Sequence, residues 1–231
     1  MARLELEAVD ACVFDAYGTL FDVGSAARRC ADALGDRAEA LAAQWRTAQL
    51  QYTWLRSLMG RYADFWQVTA DALDFAMDNL GFADDALKRR LMELYLVLSA
   101  YPDATIALSA LRRARRTAAI LSNGSPKMLA AAVQSASLAA LLDVVLSVEE
   151  IGVYKPHPRV YQLAVDRLRV DAARICFVSS NGWDVAGASA FGMNAVWVNR
   201  ARAKRERLPA GPVAEIERLD ELPALLGIGD G

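Results

Sequence analysis

The sequence predicts an α/β fold, a doubly wound, Rossmann-like parallel sheet with an inserted helical-bundle cap. Three observations predict it. Short apolar runs rich in Val, Ile and Phe alternate with longer helical patterns after residue 100, as strands joined by crossover helices do. About 100 residues part the first two of these runs, where a crossover needs roughly 30. Polar residues gather where the runs end, the edge at which open parallel sheets bind ligands.

The strands are predicted at residues 11–14, 117–121, 144–148, 175–178 and 195–198, each a short β-branched or aromatic run. After the second, the segment "SPKMLAAAVQSA" offers Ser125 as N-cap and Pro126 at the first helical position, so a helix starts directly after that strand. The long interval reads as helices. "ALAAQWRTAQLQYTWLRSLMG" is apolar at helical spacing and stops at Gly60, "DFWQVTADALDFAMDNLG" stops at Gly81, and "DDALKRRLMELYLVL" follows. The predicted division is a core of residues 1–19 and 99–231 with a helical cap of residues 20–98. The tail after Arg200 begins basic and ends in a short amphipathic helix, and no catalytic role is expected of it.

Composition narrows the function classes. The chain has 231 residues, of which 55% are hydrophobic, enough for a full core. With 26 basic and 28 acidic residues mixed along it, nothing in the charge points to a nucleic acid or an anionic membrane. Cys12, Cys30 and Cys176 are widely spaced, two of them in apolar runs, and are expected to be buried thiols, in neither a disulfide nor a metal cluster. The start, "MARLELEAVDACVFDAYG", lacks a basic region before a long apolar segment, and no apolar run reaches the ~18 residues of a membrane span. A soluble, cytoplasmic protein is expected.

The polar groups converge. Asp15 follows the first strand in "VFDAYGTLFD"; Ser122 and Asn123 follow the second; Ser179, Ser180 and Asn181 follow the fourth; Lys155 lies in the loop after the third, in "VYKPHPRVY". Each alone reads equally as a turn former or helix cap. Their meeting on one edge is what caps and turns do not predict.

The motifs "DAYGT", "SNG", "YKP" and "SSNGWD", in this order and with a helical segment after the first, resemble the haloacid dehalogenase superfamily. Its phosphatases carry a second aspartate two residues after the nucleophile and another near the fourth strand that holds magnesium. Tyr17 and Ser180 stand at those positions here. Phosphoryl transfer needs a metal or cationic clamp and an acid for the departing alkoxide. A halide leaves as a weakly basic anion, and a carboxylate in an apolar enclosure with a cation for the leaving ion suffices. The resemblance thus narrows to the L-2-haloacid dehalogenases, over nearly the whole chain and including "WLRSLMGRYADFW".

That resemblance implies hydrolysis of an L-2-haloalkanoate to a D-2-hydroxyalkanoate and halide, through attack of Asp15 on C2 with inversion and an aspartyl ester opened by water. It implies no cofactor and no metal, a small haloacid as partner, and a homodimer. By position, Arg46 resembles the arginine that receives the halide, and Asn123 its amide partner. Ser122 resembles the hydroxyl that holds the substrate carboxylate, with backbone N–H groups around Tyr17 and Gly18. Lys155 is expected beside Asp15, and Asp184 matches the acid that positions Lys155. Thr19, Tyr161, Ser179 and Asn181 complete the polar shell, while Tyr17, Leu50, Phe65 and Trp183 match the wall around alkyl group and halogen. His157, between two prolines, reads as a loop residue; as a base it would displace Asp184. Two other functions stand beside this one: a phosphatase of the same superfamily acting on a small phosphate ester, and a non-catalytic binding protein.

Overall fold

The structure, a computed structural model, describes Leu6 and residues 8–229; residues 1–5 and 7 of the initial segment read above lie outside them. Six strands form one parallel sheet: β1 (Ala11–Phe14), β2 (Thr117–Ser122), β3 (Val144–Ser147), β4 (Ile175–Ser179), β5 (Asn194–Val198) and β6 (Ala214–Ile216), in the order β3-β2-β1-β4-β5-β6. The chain winds outward twice from β1, so the edge beside it is where the connections diverge to either side, the usual binding crevice of such sheets. β1 is buried throughout, as a central strand covered on both faces must be.

The helices among the described residues are α1 (Ser25–Arg28), α2 (Ala31–Leu34), α3 (Ala38–Leu58), α4 (Phe65–Asn79), α5 (Asp85–Leu96), α6 (Pro102–Arg113), α7 (Pro126–Ser135), α8 (Pro158–Leu168), α9 (Gly182–Phe191) and α10 (Leu222–Leu225). The first five fill the interval between β1 and α6 and form the predicted cap. Their ends follow local chemistry. The Asp64 carboxylate accepts from Gln67 N at 3.0 Å and that of Asp84 from Ala86 and Leu87 N at 2.9 Å, satisfying N–H groups that a helix start leaves open. α4 ends through Gly81, whose φ of +70° suits glycine, and Phe82 N closes back on Met77 O at 2.9 Å. Trp45 Nε1 donates to Thr69 O at 2.8 Å, tying α3 to α4.

Several expectations are adjusted. Ser122 and Ser179 are the last residues of β2 and β4, β5 starts at Asn194, and Val148 opens a 3-10 turn instead of ending β3. β6 was not anticipated: three residues with an exposed Glu215 at the middle carry too little pattern to read as a strand. Ser125 caps α7 with Pro126 at its first turn, as predicted. Cys12, Cys30 and Cys176 are buried free thiols. No helix among the described residues is long and apolar enough to cross a membrane.

Candidate active site

The strand register sets the site. Phe14 pairs with Ile120 on one side and Val178 on the other, and Ser122 pairs with Ser147. Asp15 N still donates to Val178 O at 2.9 Å. Asp15 and Ser179 therefore emerge at one level along the carboxyl edge, with Ser122 one residue further along on the other neighbouring strand.

Asp15 is buried and its two oxygens are treated differently. Oδ1 takes the Lys155 ammonium at 3.1 Å. Oδ2 takes Asn181 Nδ2 at 2.7 Å, Thr19 Oγ1 at 3.2 Å and Ser179 Oγ at 3.4 Å. Four donors thus hold the Asp15 carboxylate in place, three of them on one oxygen. Lys155 is fully enclosed, and its Nζ reaches on to Asp184 Oδ2 at 2.7 Å, while Tyr161 OH donates to Asp184 Oδ1 at 2.7 Å. Burial works against the Lys155 charge, but Asp15 and Asp184 more than offset it and hold its pKa above the ordinary lysine value. Burial raises the Asp184 carboxyl to about 6; the Lys155 charge pulls it down and the Asp15 charge up.

The turn after β1 is braced from β4. Ser180 N donates to Thr19 Oγ1 at 2.8 Å, and Ser180 Oγ donates to Gly18 O at 2.6 Å. Gly18 has φ +92°, and a Cβ there would stand 3.3 Å from Ser180 Oγ, so this close turn requires glycine. Arg46, on α3, reaches into the same region: Nη2 lies 3.2 Å from Tyr17 O and 3.4 Å from Asn181 Oδ1, and Nη1 donates to Gln49 Oε1 at 2.8 Å. Asn181 thus touches both Asp15 and Arg46.

Tyr17 packs against Phe65 and Tyr95, with ring centroids 5.6 and 5.5 Å away. Burial lifts its phenol well above the ordinary tyrosine pKa, and its hydroxyl meets no protein partner among the described residues. Gly124 makes room for the ring, because a Cβ there would lie 2.6 Å from Tyr17 Cε2. Trp183 is half-buried and meets Trp54 edge-on at 5.4 Å. Leu50, half-buried, lies one turn beyond Arg46 on α3. Ser122 is buried and accepts from Gly124 N at 3.1 Å.

One expectation needs correction. Asn123 is not bonded to Arg46; its Oδ1 accepts from Lys155 N at 3.1 Å and holds the lysine's backbone. The amides at Arg46 belong to Asn181 and Gln49 instead. Trp54, assigned by sequence to core or interface, stands at an interface, its ring meeting Trp183 of α9. Sequence reading also missed Gln49, Tyr95 and Tyr154. Tyr154 N donates to Ser57 Oγ of the cap at 3.1 Å, and its hydroxyl donates to Ala63 O at 2.6 Å, so the residue before Lys155 ties this loop to α3 and to the start of α4. The only available signal was an aromatic residue adjoining a candidate lysine. His157 is exposed and caps α8, its Nδ1 accepting from Arg159 N at 3.2 Å, as suits a structural loop residue.

The donor set does not fit the magnesium of the superfamily's phosphatases. The Lys155 ammonium occupies the space between the Asp15 and Asp184 carboxylates, Tyr17 turns a ring into apolar neighbours, and the Ser180 hydroxyl is committed to Gly18 and Thr19. No group of three or more His, Cys, Asp or Glu among the described residues could hold an ion.

Comparisons with known proteins agree on one family. A family model for haloacid dehalogenase-like hydrolases matches residues 9–192. The (S)-2-haloacid dehalogenase 1 of Pseudomonas sp. (strain CBS-3) is 51% identical over 222 residues, covering 96% of this chain and 98% of that protein. A crystal structure of a dehalogenase superposes with a TM-score of 0.94 at 49% identity, covering 96% of this chain and 99% of that one. The L-2-haloacid dehalogenase of Xanthobacter autotrophicus, crystallised with chloropropionic acid covalently bound, superposes with a TM-score of 0.88 at 40% identity, covering 95% and 98%. The six-stranded core, the helical cap and these likenesses together make the chain a member of the (S)-2-haloacid dehalogenase family of haloacid dehalogenase-like hydrolases.

Proposed function

We propose that the chain hydrolyses L-2-haloalkanoic acids to D-2-hydroxyalkanoic acids and halide, with Asp15 as nucleophile and no metal in the reaction. The observation that carries this reading is the buried Asp15 carboxylate, paired with Lys155 at 3.1 Å and linked through Asn181 to the Arg46 guanidinium. A carboxylate oxygen of Asp15 bonds to C2 as the carbon–halogen bond breaks, and the bonding pair leaves with the halide, inverting C2. Arg46 receives the halide without any proton transfer, its charge being permanent. Ser122 and the backbone N–H groups about Tyr17 and Gly18 hold the substrate carboxylate, while Tyr17, Leu50, Phe65 and Trp183 keep water from the reacting carbon.

Water then attacks the carbonyl carbon of the aspartyl ester. The departing alkoxide takes a proton and leaves as the hydroxy acid, and one water oxygen stays in Asp15. Asp184 holds Lys155 and assists in taking the water proton, with Tyr161 orienting it; Thr19, Ser179 and Asn181 keep Asp15 in line. The covalently bound chloropropionic acid of the Xanthobacter relative supports an enzyme-linked intermediate.

The proposed organisation is a core of residues 1–19 and 99–231 with a cap of 20–98, supported by the two crossing segments, which pair where Asp22 N meets Ser99 O at 2.8 Å and Tyr101 N meets Leu20 O at 2.9 Å. A cytoplasmic homodimer is the proposed state, supported by the buried free thiols and by exposed Leu55, Leu58, Met59 and Phe75 on the cap. The test is one turnover with enzyme in excess in heavy-oxygen water. Label is expected in the peptide containing position 15; label in the hydroxy acid with that peptide unchanged refutes the mechanism. Chloride release from L-2-chloropropionate in chelator separates this reading from a metal-dependent phosphatase.

A further inference from the structure

We infer that Gln49 is a positioning residue for halide departure, which aims the Arg46 guanidinium and keeps its charge uncompensated; the inference rests on the halide-receiving role proposed for Arg46. Gln49 is almost wholly buried, a costly place for an amide unless each of its atoms is partnered. It sits one turn beyond Arg46 on α3, on the same helix face.

The partners fix which way the amide points. Thr69 Oγ1 donates its single proton to Phe65 O at 2.5 Å, so toward Gln49 it acts as acceptor, and Gln49 Nε2 donates to it at 2.7 Å. The Gln49 oxygen therefore faces the other way, where Arg46 Nη1 donates to it at 2.8 Å. Tyr95 OH closes the set, 3.1 Å from Nε2 and 3.2 Å from Oε1. Thr69 and Tyr95 are buried as well. α3 supplies Arg46 and Gln49, α4 Thr69 and α5 Tyr95, so the direction of the guanidinium is set by the packing of these three cap helices.

The chemistry of the acceptors carries the second half. Arg46 is held by Gln49 Oε1, Tyr17 O and Asn181 Oδ1, neutral oxygens in every case, and it forms no ion pair with a carboxylate among the described residues. Neutral acceptors orient a guanidinium without cancelling its charge. A carboxylate at position 49 would hold it equally well but neutralise it, leaving little attraction for a departing anion.

The test is the single-turnover rate of halide release, enzyme in excess, from L-2-chloropropionate and L-2-bromopropionate. Chloride is the more basic leaving ion and leans harder on the guanidinium. Gln49→Met, which keeps volume but frees Arg46, is expected to slow the chlorinated substrate by about 10²-fold and the brominated one by about tenfold, so that their rate ratio widens about tenfold while half-saturation moves less than about threefold. Gln49→Glu is expected to be slower than Gln49→Met on both. Tyr95→Phe removes only a hydroxyl and keeps the ring, so it reads the same ratio, with a smaller widening, even if the buried substitutions fold poorly. An unchanged ratio in every folded variant, or a rise in half-saturation without a loss of rate, overturns the inference. Wild-type enzyme that releases no halide overturns the dehalogenation reading itself, a result distinct from either.

Discussion

Lys155→Met removes the one cation lying between two buried carboxylates and leaves a side chain of similar length. At an effective dielectric near 20, charges 3.1 and 2.7 Å apart attract by about 5 and about 6 kcal/mol. Much of this is spent against the desolvation of three buried ions, so removing the shared partner should cost about 3–5 kcal/mol of folding stability. The cost depends on pH in a fixed direction. Without the ammonium, Asp15 and Asp184 repel each other in an enclosed space, and the Asp184 carboxyl, already raised by burial and by the Asp15 charge, loses the cation that pulled it down. The folded variant then binds more protons than its unfolded form, and it regains stability as pH falls. Urea unfolding of wild type and variant at pH 8 and pH 5.5 measures both quantities. The difference between them should be several kcal/mol at pH 8 and smaller at pH 5.5. A difference below about 1 kcal/mol at pH 8, or one equal at the two pH values, would refute the view of Lys155 as the charge that makes two buried carboxylates tolerable.

Asp15→Asn should lower the rate of chloride release from L-2-chloropropionate by at least roughly 10³-fold, with the fold kept by circular dichroism. Activity should fall as pH drops through about 6, because the ionised Asp184 that holds Lys155 is then lost, and Lys155 should impose no alkaline limb below about pH 10, its pKa lying above the ordinary 10.5; a kcat profile from pH 4.5 to 10 checks both. Stability follows the opposite sign for Asp184: its folded pKa exceeds the unfolded 3.8, so its contribution is present at low pH and is lost as pH rises through about 6, which Asp184→Asn should flatten in urea unfolding curves. His157→Ala should retain near wild-type kcat and lose about 0.5–1 kcal/mol from the missing cap of α8; a collapse of kcat would move the base from Asp184 to His157.

Much of this site could be read before any coordinates because its parts follow from local pattern. A buried strand announces itself as a short apolar run, and a polar residue just past its end can lie only on the carboxyl edge; Asp15, Ser122 and Ser179 were legible for that reason. The pairings among them were not legible from residue pattern. Lys155 meets Asp15 across 140 positions and Asp184 across 29, and those distances come from the register of β1 against β4 and the loop after β3. Asn123 shows the limit: an amide after a strand was correctly put at the edge, but its partner is Lys155 N instead of Arg46, because partner choice depends on tertiary placement within ångströms. Gln49 and Tyr95 were hidden for another reason. A single Gln on an otherwise apolar helix face reads as a boundary residue until α5 is packed against α3, and only then do residues 46 positions apart share a hydrogen bond.

The charges of the site explain why the superfamily scaffold suits displacement at carbon once its metal ligands are gone. Asp15 and Asp184 are two potential negative charges, and Lys155 and Arg46 are two positive ones, so these four groups balance without a divalent ion. In the proposed first step a negative charge leaves Asp15, which becomes a neutral ester, and reappears on the halide. The two cations stand at the two ends of that path: Lys155 at the Asp15 carboxylate, Arg46 beyond the wall of Tyr17. Asn181 spans them, donating to Asp15 Oδ2 and accepting from Arg46. Once Asp15 is esterified, Lys155 keeps Asp184 as its sole carboxylate partner, and the loss of the Asp15 charge lowers the Asp184 proton affinity, since that charge is one of the causes that raise it. In the proposed mechanism, forming the ester therefore favours an ionised Asp184 for the water step.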